Sequence, residues 1–311
     1  MALLFTSKAK HGYHCFILQY PGEVSDMNES AEDDAATIQS TMVGPLWARA
    51  KYSQLYPDLL RDDQSIKLIE QVKRDYPDSQ EEFDSLEEFI DELLGLVFAI
   101  RARTFEDTIA AFLQNNPHAA IVNLGCGLDT TFSRVDNGTL HWFDLDLPDA
   151  IEYRRRLIPE TSRSRCIAKS IFDFSWMEDI GFNSSEGLLM IAGGLFAYFN
   201  EEDVSQFFRA IAKRFPGGQI IFDSSSSKGD WVINRRFKKH GISGIDHKFD
   251  AKNPSQVESW SEQLEVIDWF PYFSRVDINP KWKRRTRFIM SLNSKISLAK
   301  FIHVRIKEFQ P

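Results

Sequence analysis

The chain has 311 residues, 43% hydrophobic and 26% charged, with 37 Lys and Arg against 45 Asp and Glu for a net charge of −8. Those proportions belong to a globular chain and exclude collagen-like, coiled-coil and largely disordered architectures. The acidic balance provides no global attraction to nucleic acid or anionic lipid, and no apolar run reaches the ~18 residues that span a bilayer. Three cysteines without a Cys-x-x-Cys pair build no disulfide framework, and Met1-Ala-Leu-Leu-Phe5 is too short for the core of a signal peptide. A cytoplasmic protein that binds neither nucleic acid nor membrane is expected, as a monomer or homodimer.

In chain order, residues 1–40 form a variable N-terminal segment, of which 21–37 is acidic, lacks large apolar side chains and reads as a flexible surface stretch. From Leu46 to Leu113 the pattern is helical. Leu86, Phe89, Ile90, Leu93, Leu94, Val97 and Phe98 recur every three or four residues, Asp84 or Ser85 is a candidate cap for that helix, and Tyr76-Pro77-Asp78-Ser79 is a turn. Residues 41–118 are thus expected to be a helical cap.

The pattern changes at Ala119. Short apolar runs at 120–124, 140–144, 165–169, 187–191 and 219–223 alternate with helical stretches. Glu201 to Phe215 carries acidic residues in its first turn, Lys213 and Arg214 in its last, and Pro216-Gly217-Gly218 after it. This alternation predicts an α/β fold, a parallel Rossmann-like sheet with helices on both faces, over 119–311. Leu264–Phe270 and Phe301–Ile306 add strands at one edge. The polar, irregular stretch near 224–263 reads as an insertion covering the carboxyl ends of the strands.

The motif that carries chemistry is Ile121-Val-Asn-Leu-Gly125-Cys-Gly127-Leu-Asp129-Thr-Thr131. A strand enters a Gly-x-Gly turn and a helix follows. Gly125 permits the turn, Gly127 allows close approach of a ligand to the backbone, and about 20 residues later Asp144 and Asp146 offer carboxylates for ribose hydroxyls. A dinucleotide site prefers a third glycine where Thr130 stands, and Asp129 at the helix start would repel a pyrophosphate. A phosphate-free nucleoside such as S-adenosylmethionine fits better; a nicotinamide-dependent oxidoreductase stays open as the alternative. Asp144 and Asp146 alternate along a strand, so one binds ribose while the other pairs with a base. Asp129 reads as a helix cap that also favours a cation.

With PLWARAKYSQLYPDLLRDDQS at 45–65, FAIRARTFED at 98–107, IVNLGCGLDTTFSRV at 121–135, WFDLDLPDAIEYRRRL at 142–157, FDFSWM at 172–177 and AGGLFAYF at 192–199, the chain resembles the leucine carboxyl methyltransferase superfamily. Within it, the similarity is to the branch of polyketide and small-molecule O-methyltransferases around the tetracenomycin enzyme. The resemblance implies a class I methyltransferase fold, S-adenosylmethionine as cofactor and a small-molecule methyl acceptor. It implies that Arg101 holds the cofactor carboxylate, that Gly125 and Gly127 form the cofactor loop, that Asp146 binds ribose with Asp144 close by, and that Ser170 and Ile171 flank adenine. Where many relatives have Asp this chain has Ser170, for which Asp173 is a substitute. Where many have Glu it has Gly193, so either the pocket is widened or another group supplies the charge. These departures leave open a non-catalytic protein that binds the cofactor.

For catalysis, Tyr198 either contacts substrate or closes the pocket wall, and His240 and His247 are candidate general bases or exposed loop histidines. Arg103 lies about 200° around a helix from Arg101 and is not expected at the same ligand. Arg49 and Lys51 either border the site or face solvent. Cys126 reads as a packed thiol, no metal-ligand pattern is present, and the basic run 281–287 reads as a solvated face.

Overall fold

Four of the five apolar runs are buried on both sides, which is why they read as continuous hydrophobic stretches and not as alternating ones; the run at 165–169 lies at the sheet edge and buries only Ile167. The computed structural model describes residues 6–9, 12–15, 29–75, 80–181, 186–226, 229, 249–296 and 298–308, with side chains from Met42 onward except 80–82 and 294–296. Two short strands, β1 (Thr6–Ala9) and β2 (Gly12–Cys15), pair antiparallel. Four helices follow: α1 (Glu29–Leu55), α2 (Asp63–Asp75), α3 (Gln80–Phe89) and α4 (Glu92–Asn115).

The main sheet then begins. Its elements are β3 (Ala120–Leu124), α5 (Phe132–Val135), β4 (His141–Asp146), α6 (Pro148–Leu157), β5 (Ser164–Ala168), α7 (Trp176–Asp179), β6 (Leu188–Ala192), α8 (Glu201–Arg214), β7 (Gln219–Ser225), α9 (Pro254–Glu258), β8 (Leu264–Pro271), α10 (Arg284–Ile296) and β9 (Ala299–Ile306). The strand order is β5-β4-β3-β6-β7-β9-β8. The first five strands in that order are parallel; β9 runs antiparallel to β7 and β8 to β9. The order reverses between β3 and β6, the place where open α/β sheets leave a crevice at the carboxyl ends of their strands.

Period-two alternation assigns the two faces. Val122, Leu124, Met190 and Phe222 pack against Val204, Phe207, Phe208 and Ile211 of α8. Ile121, Leu189, Ile191 and Ile221 pack against Ala99, Ile100 and Phe105 of α4. A third cluster joins Leu46, Leu68, Phe89 and Phe98 of the helical layer to Leu128, Ala150 and Tyr153, so this layer rests on the Gly-x-Gly loop and α6.

Three local expectations change. The apolar stripe at 86–98 spans two helices: Asp84 and Ser85 lie inside α3, and Asp91 caps α4 by accepting a hydrogen bond from the Leu94 N–H at 3.0 Å. The acidic stretch is helical from Glu29 on, because carboxylates at a helix N-terminus oppose the positive end of its dipole. The helix expected after the glycine turn is one turn long: the Asp136 and Asn137 side chains accept from the Gly138, Thr139 and Leu140 N–H groups and turn the chain into β4. The turn at 76–79 lies outside the described residues.

Asp62 ties the helical layer to the loop. Its fully buried carboxylate accepts from Arg49 Nε at 3.2 Å, Thr130 Oγ1 at 2.7 Å and the Ser65 N–H at 3.0 Å, and pairs with Arg134 at 2.9 Å. Burial alone would raise its pKa, but Arg49 and Arg134 prevail and hold it below the ordinary value. The group therefore contributes stability above the unfolded-state pKa of about 4, lost as pH falls through its lower folded value. Asp62→Ala leaves the buried Arg49 guanidinium without a counter-ion and Arg134 with Glu106 alone, and is expected to cost about 3–5 kcal/mol in chemical denaturation at pH 7, less at pH 3. An equal loss at both pH values would contradict this assignment.

Candidate active site

A cavity of about 470 Å3 opens at the carboxyl ends of β3 and β6, within the range of roughly 300–1,000 Å3 that holds small ligands. Gly125, Gly127 and Asp129 of the loop, Asp146 from the end of β4, Ser170 and Ile171 after β5, Gly193 and Tyr198 after β6, and Arg101 from α4 all line it. Nine of the thirteen residues singled out in the sequence thus meet in one place.

The loop has no choice of residue at its first glycine. Gly125 has φ +63°, and a Cβ there would come within 2.8 Å of Leu195 Cδ1. Gly127 also has positive φ, and its N–H donates to Asp146 Oδ2 at 2.7 Å. The other Asp146 oxygen accepts from the Leu147 N–H at 2.8 Å. Loop carbonyls point at buried cations: Arg154 donates to Gly127 O at 2.9 Å and Asp129 O at 2.7 Å, and Arg49 donates to Leu128 O at 2.8 Å. Arg49 therefore borders the site, whereas Lys51 pairs with Glu87 at the surface.

Asp144 does not line the cavity. It is 1% exposed, pairs with Arg154 at 2.6 Å and accepts from Asn123 Nδ2 at 3.1 Å, so it is the counter-ion beneath the loop. Burial raises the pKa of both Asp144 and Asp146, opposed by Arg154 at the first and by the two backbone N–H groups at the second. The Asp129 carboxylate closes a local turn onto the Thr131 N–H at 2.8 Å. Asp173 is exposed and bonded to Ser175, which takes it away from the cavity and rules out the substitution suggested for Ser170. His240 and His247 lie outside the described residues.

Arg101 has a partner that sequence reasoning missed. Its Nη2 lies 2.7 Å and its Nε 2.9 Å from Asp223 Oδ2, and the other oxygen of Asp223 accepts from the Gly194 N–H at 2.5 Å. Burial disfavours the Arg101 charge, but Asp223 and then Tyr272 hold its pKa above the ordinary arginine value. Arg101 also occupies the space beside position 193: a Cβ there would meet Phe105 Cε2 at 2.9 Å and Arg101 Cδ at 3.1 Å. Asp223, on β7, thus places a carboxylate between Arg101 and the Gly194 N–H. The signal for it was present, since Asp223 ends an apolar strand at the same edge as Asp146. Arg103 pairs with Asp107 on the exposed side of α4.

Tyr198 is kept protonated at neutral pH, because burial pushes its phenol up despite nearby Arg101. It lines the cavity beside Phe199. Cys126 is 5% exposed and its thiol is pushed up by burial; the Cys166 thiol is raised to about 11, also by burial. Neither is a nucleophile at neutral pH. Brief alkylation of native protein at pH 7.5 is expected to leave Cys126 unmodified in peptide mass maps, and full labelling of Cys126 within minutes would contradict its burial.

Comparison with known proteins gives the site its context. The family of leucine carboxyl methyltransferases matches residues 42–212. The tetracenomycin polyketide synthesis O-methyltransferase TcmP of Streptomyces glaucescens is 27% identical over 79% of this chain and 88% of its own length. The S-adenosyl-L-methionine-dependent methyltransferase dpfgK of Gibberella zeae is 29% identical over 71% of this chain and 78% of its own. Among solved structures, one from Thermobifida fusca YX described as a methyltransferase superposes with a TM-score of 0.53 at 15% identity, covering 73% of this chain and 89% of the other. A DUF574 family protein from Streptomyces avermitilis gives 0.50 at 11% identity, covering 84% and 97%. The nicotinamide alternative falls away with these matches. With the cavity at the switch point of a seven-stranded sheet and a family match spanning the loop, Asp146 and Gly193, the chain belongs to the leucine carboxyl methyltransferase family and is an S-adenosylmethionine-dependent O-methyltransferase.

Proposed function

We propose that the cavity holds the cofactor along its length, and that the methyl group goes to an oxygen, carboxylate or hydroxyl, of a small secondary metabolite, polyketide-like in character. The observation that carries this reading is the placement of Asp146 and Arg101 in one cavity, a carboxylate for ribose and a guanidinium for the amino-acid end, with the side-chain-free Gly125 and Gly127 between. The residues fit the cofactor in kind: Ile171, Leu128 and Phe98 supply apolar walls, and Ser170 one hydrogen-bonding group. Asp129 adds a negative charge that favours the sulfonium. The bound cofactor supplies a methyl carbon that is already electrophilic.

The protein's own work is then to align and to exclude water. Asp146 orients the ribose, Arg101 grips the carboxylate with its planar fork, and Tyr198 closes the wall. Alignment of this kind is worth on the order of 7–11 kcal/mol. Residues 41–118 act as the cap, 119–311 as the catalytic core and 224–263 as the covering insertion. Among the described residues no helix is long and apolar enough to cross a membrane. The composition supports a cytoplasmic enzyme acting as a monomer or homodimer, without nucleic acid.

Calorimetric titration tests this reading. S-adenosylmethionine and S-adenosylhomocysteine are expected to bind at micromolar concentration and NADH not at all. Asp146→Ala and Arg101→Ala are each expected to weaken binding roughly 10- to 100-fold, the worth of a lost hydrogen bond to a charged group. Unchanged affinity in both variants would overturn the assignment. Cofactor binding without methyl transfer to any phenol or carboxylic acid would return the non-catalytic reading.

A further inference from the structure

A second cavity, of about 160 Å3, lies on the other side of the Arg101–Asp223 pair. Arg101 and Gly194 line both cavities, so the two share a wall. The second is otherwise made by different residues: Phe89 of α3, Leu93 and Val97 of α4, Ala197 after β6, Tyr272 and Phe273 after β8, and Ala299 of β9. We propose that this cavity is where the acceptor binds, and that it takes a single hydroxy- or carboxy-substituted ring whose oxygen faces the shared wall. The proposal rests on the cofactor reading of the larger cavity.

Size and polarity carry the inference. A dry apolar cavity of about 150 Å3 is enough to hold one benzene ring, and this cavity is walled mainly by aromatic and aliphatic side chains. Ser224, Ser225 and Asn293 also line it, but Ser224 Oγ accepts from the Ala251 N–H and Asn293 Oδ1 from the Ala299 N–H, while Arg101 and Asp223 stand where it meets the cofactor cavity. There Asp223, 9% exposed, accepts from both the Arg101 guanidinium and the Gly194 N–H. Tyr272 is buried beside them and donates to Val97 O at 3.0 Å. A ligand with one polar edge and an apolar body matches a mainly apolar pocket whose charged side chains, Arg101 and Asp223, stand together at the shared wall. It can enter in one orientation without leaving a polar group unpaired, which is how a few placed polar groups select a pose.

The chemistry balances for either oxygen. As the carbon–oxygen bond forms, the carbon–sulfur bond breaks and its electron pair stays on sulfur. An ionised carboxylate has no proton to lose, and a hydroxyl passes its proton to Asp223, the one acidic side chain among the described residues of this wall. Asp223 also has a positioning role in the same place: it compensates the Arg101 charge from the acceptor side and holds the guanidinium where both cavities reach it.

The test uses the whole protein, with and without S-adenosylhomocysteine, and two probes of matched shape, 4-propylphenol and 4-propylbenzoate. Calorimetry measures each probe against wild type and against two variants that fill the cavity from opposite walls, Ala197→Phe and Ala299→Met. At least one probe is expected to bind wild type, and each variant to weaken it about tenfold or more, the scale of a lost apolar contact. S-adenosylhomocysteine affinity stays within about threefold in both variants, which also reports that they fold. Preference for the phenol assigns a hydroxyl acceptor, and preference for the benzoate a carboxylate acceptor; both support the site. No binding of either probe to the wild type, or undiminished binding to both filled variants, overturns it. If the probes bind and the variants lose them while S-adenosylhomocysteine fails to bind wild type, the ring site stands and the cofactor reading fails.

Discussion

The site depends on two buried arginines that face carbonyl oxygens of the glycine loop. A loop forced into positive φ at Gly125 and Gly127 leaves carbonyls pointing into the protein, where unpaired acceptors are costly. Arg154 satisfies two of them from below and Arg49 one from the helical layer. Each arginine needs its own counter-ion, and Asp144 and Asp62 supply them. The loop is thus clamped between α6 and the cap, and both its cavity face and the Asp146 carboxylate that receives the Gly127 N–H follow from that clamp.

The same logic governs the far end of the cavity. A guanidinium is costly to bury alone, so Asp223 accompanies Arg101, anchored in turn by the Gly194 N–H. Gly193 permits this arrangement, because any side chain there would press on Arg101 and Phe105. Position 193 and the ion pair from β7 thus both lie against Arg101.

Much of this was legible in the sequence, for reasons that particular residues make plain. Ile121, Leu189 and Ile221 announce buried strands because both faces of a parallel sheet need apolar side chains. Gly125, Gly127 and Asp146 read as a nucleoside site because their types and spacing answer to backbone geometry and ribose chemistry, and the fold brings the three to one cavity. Arg101 was found by family resemblance and Arg154 was missed, since within Arg154-Arg155-Arg156 nothing local distinguishes the residue that turns inward. Asp144 was placed beside the ligand because alternation says that two aspartates face opposite ways without saying which faces which. Asp223 was missed because its partner is 122 residues away in the chain. Pairings between distant charges are decided by the fold, which a local pattern does not encode.

Hydrogen–deuterium exchange of the protein with and without S-adenosylhomocysteine tests the central claim most directly, because it reads the location of binding amide by amide. The account predicts slower exchange in 123–131, 146–150, 169–172 and 192–198, the four segments that converge on the larger cavity. Slowing confined to segments outside it, such as 264–271 at the sheet edge, or no slowing at saturating ligand, would contradict the account.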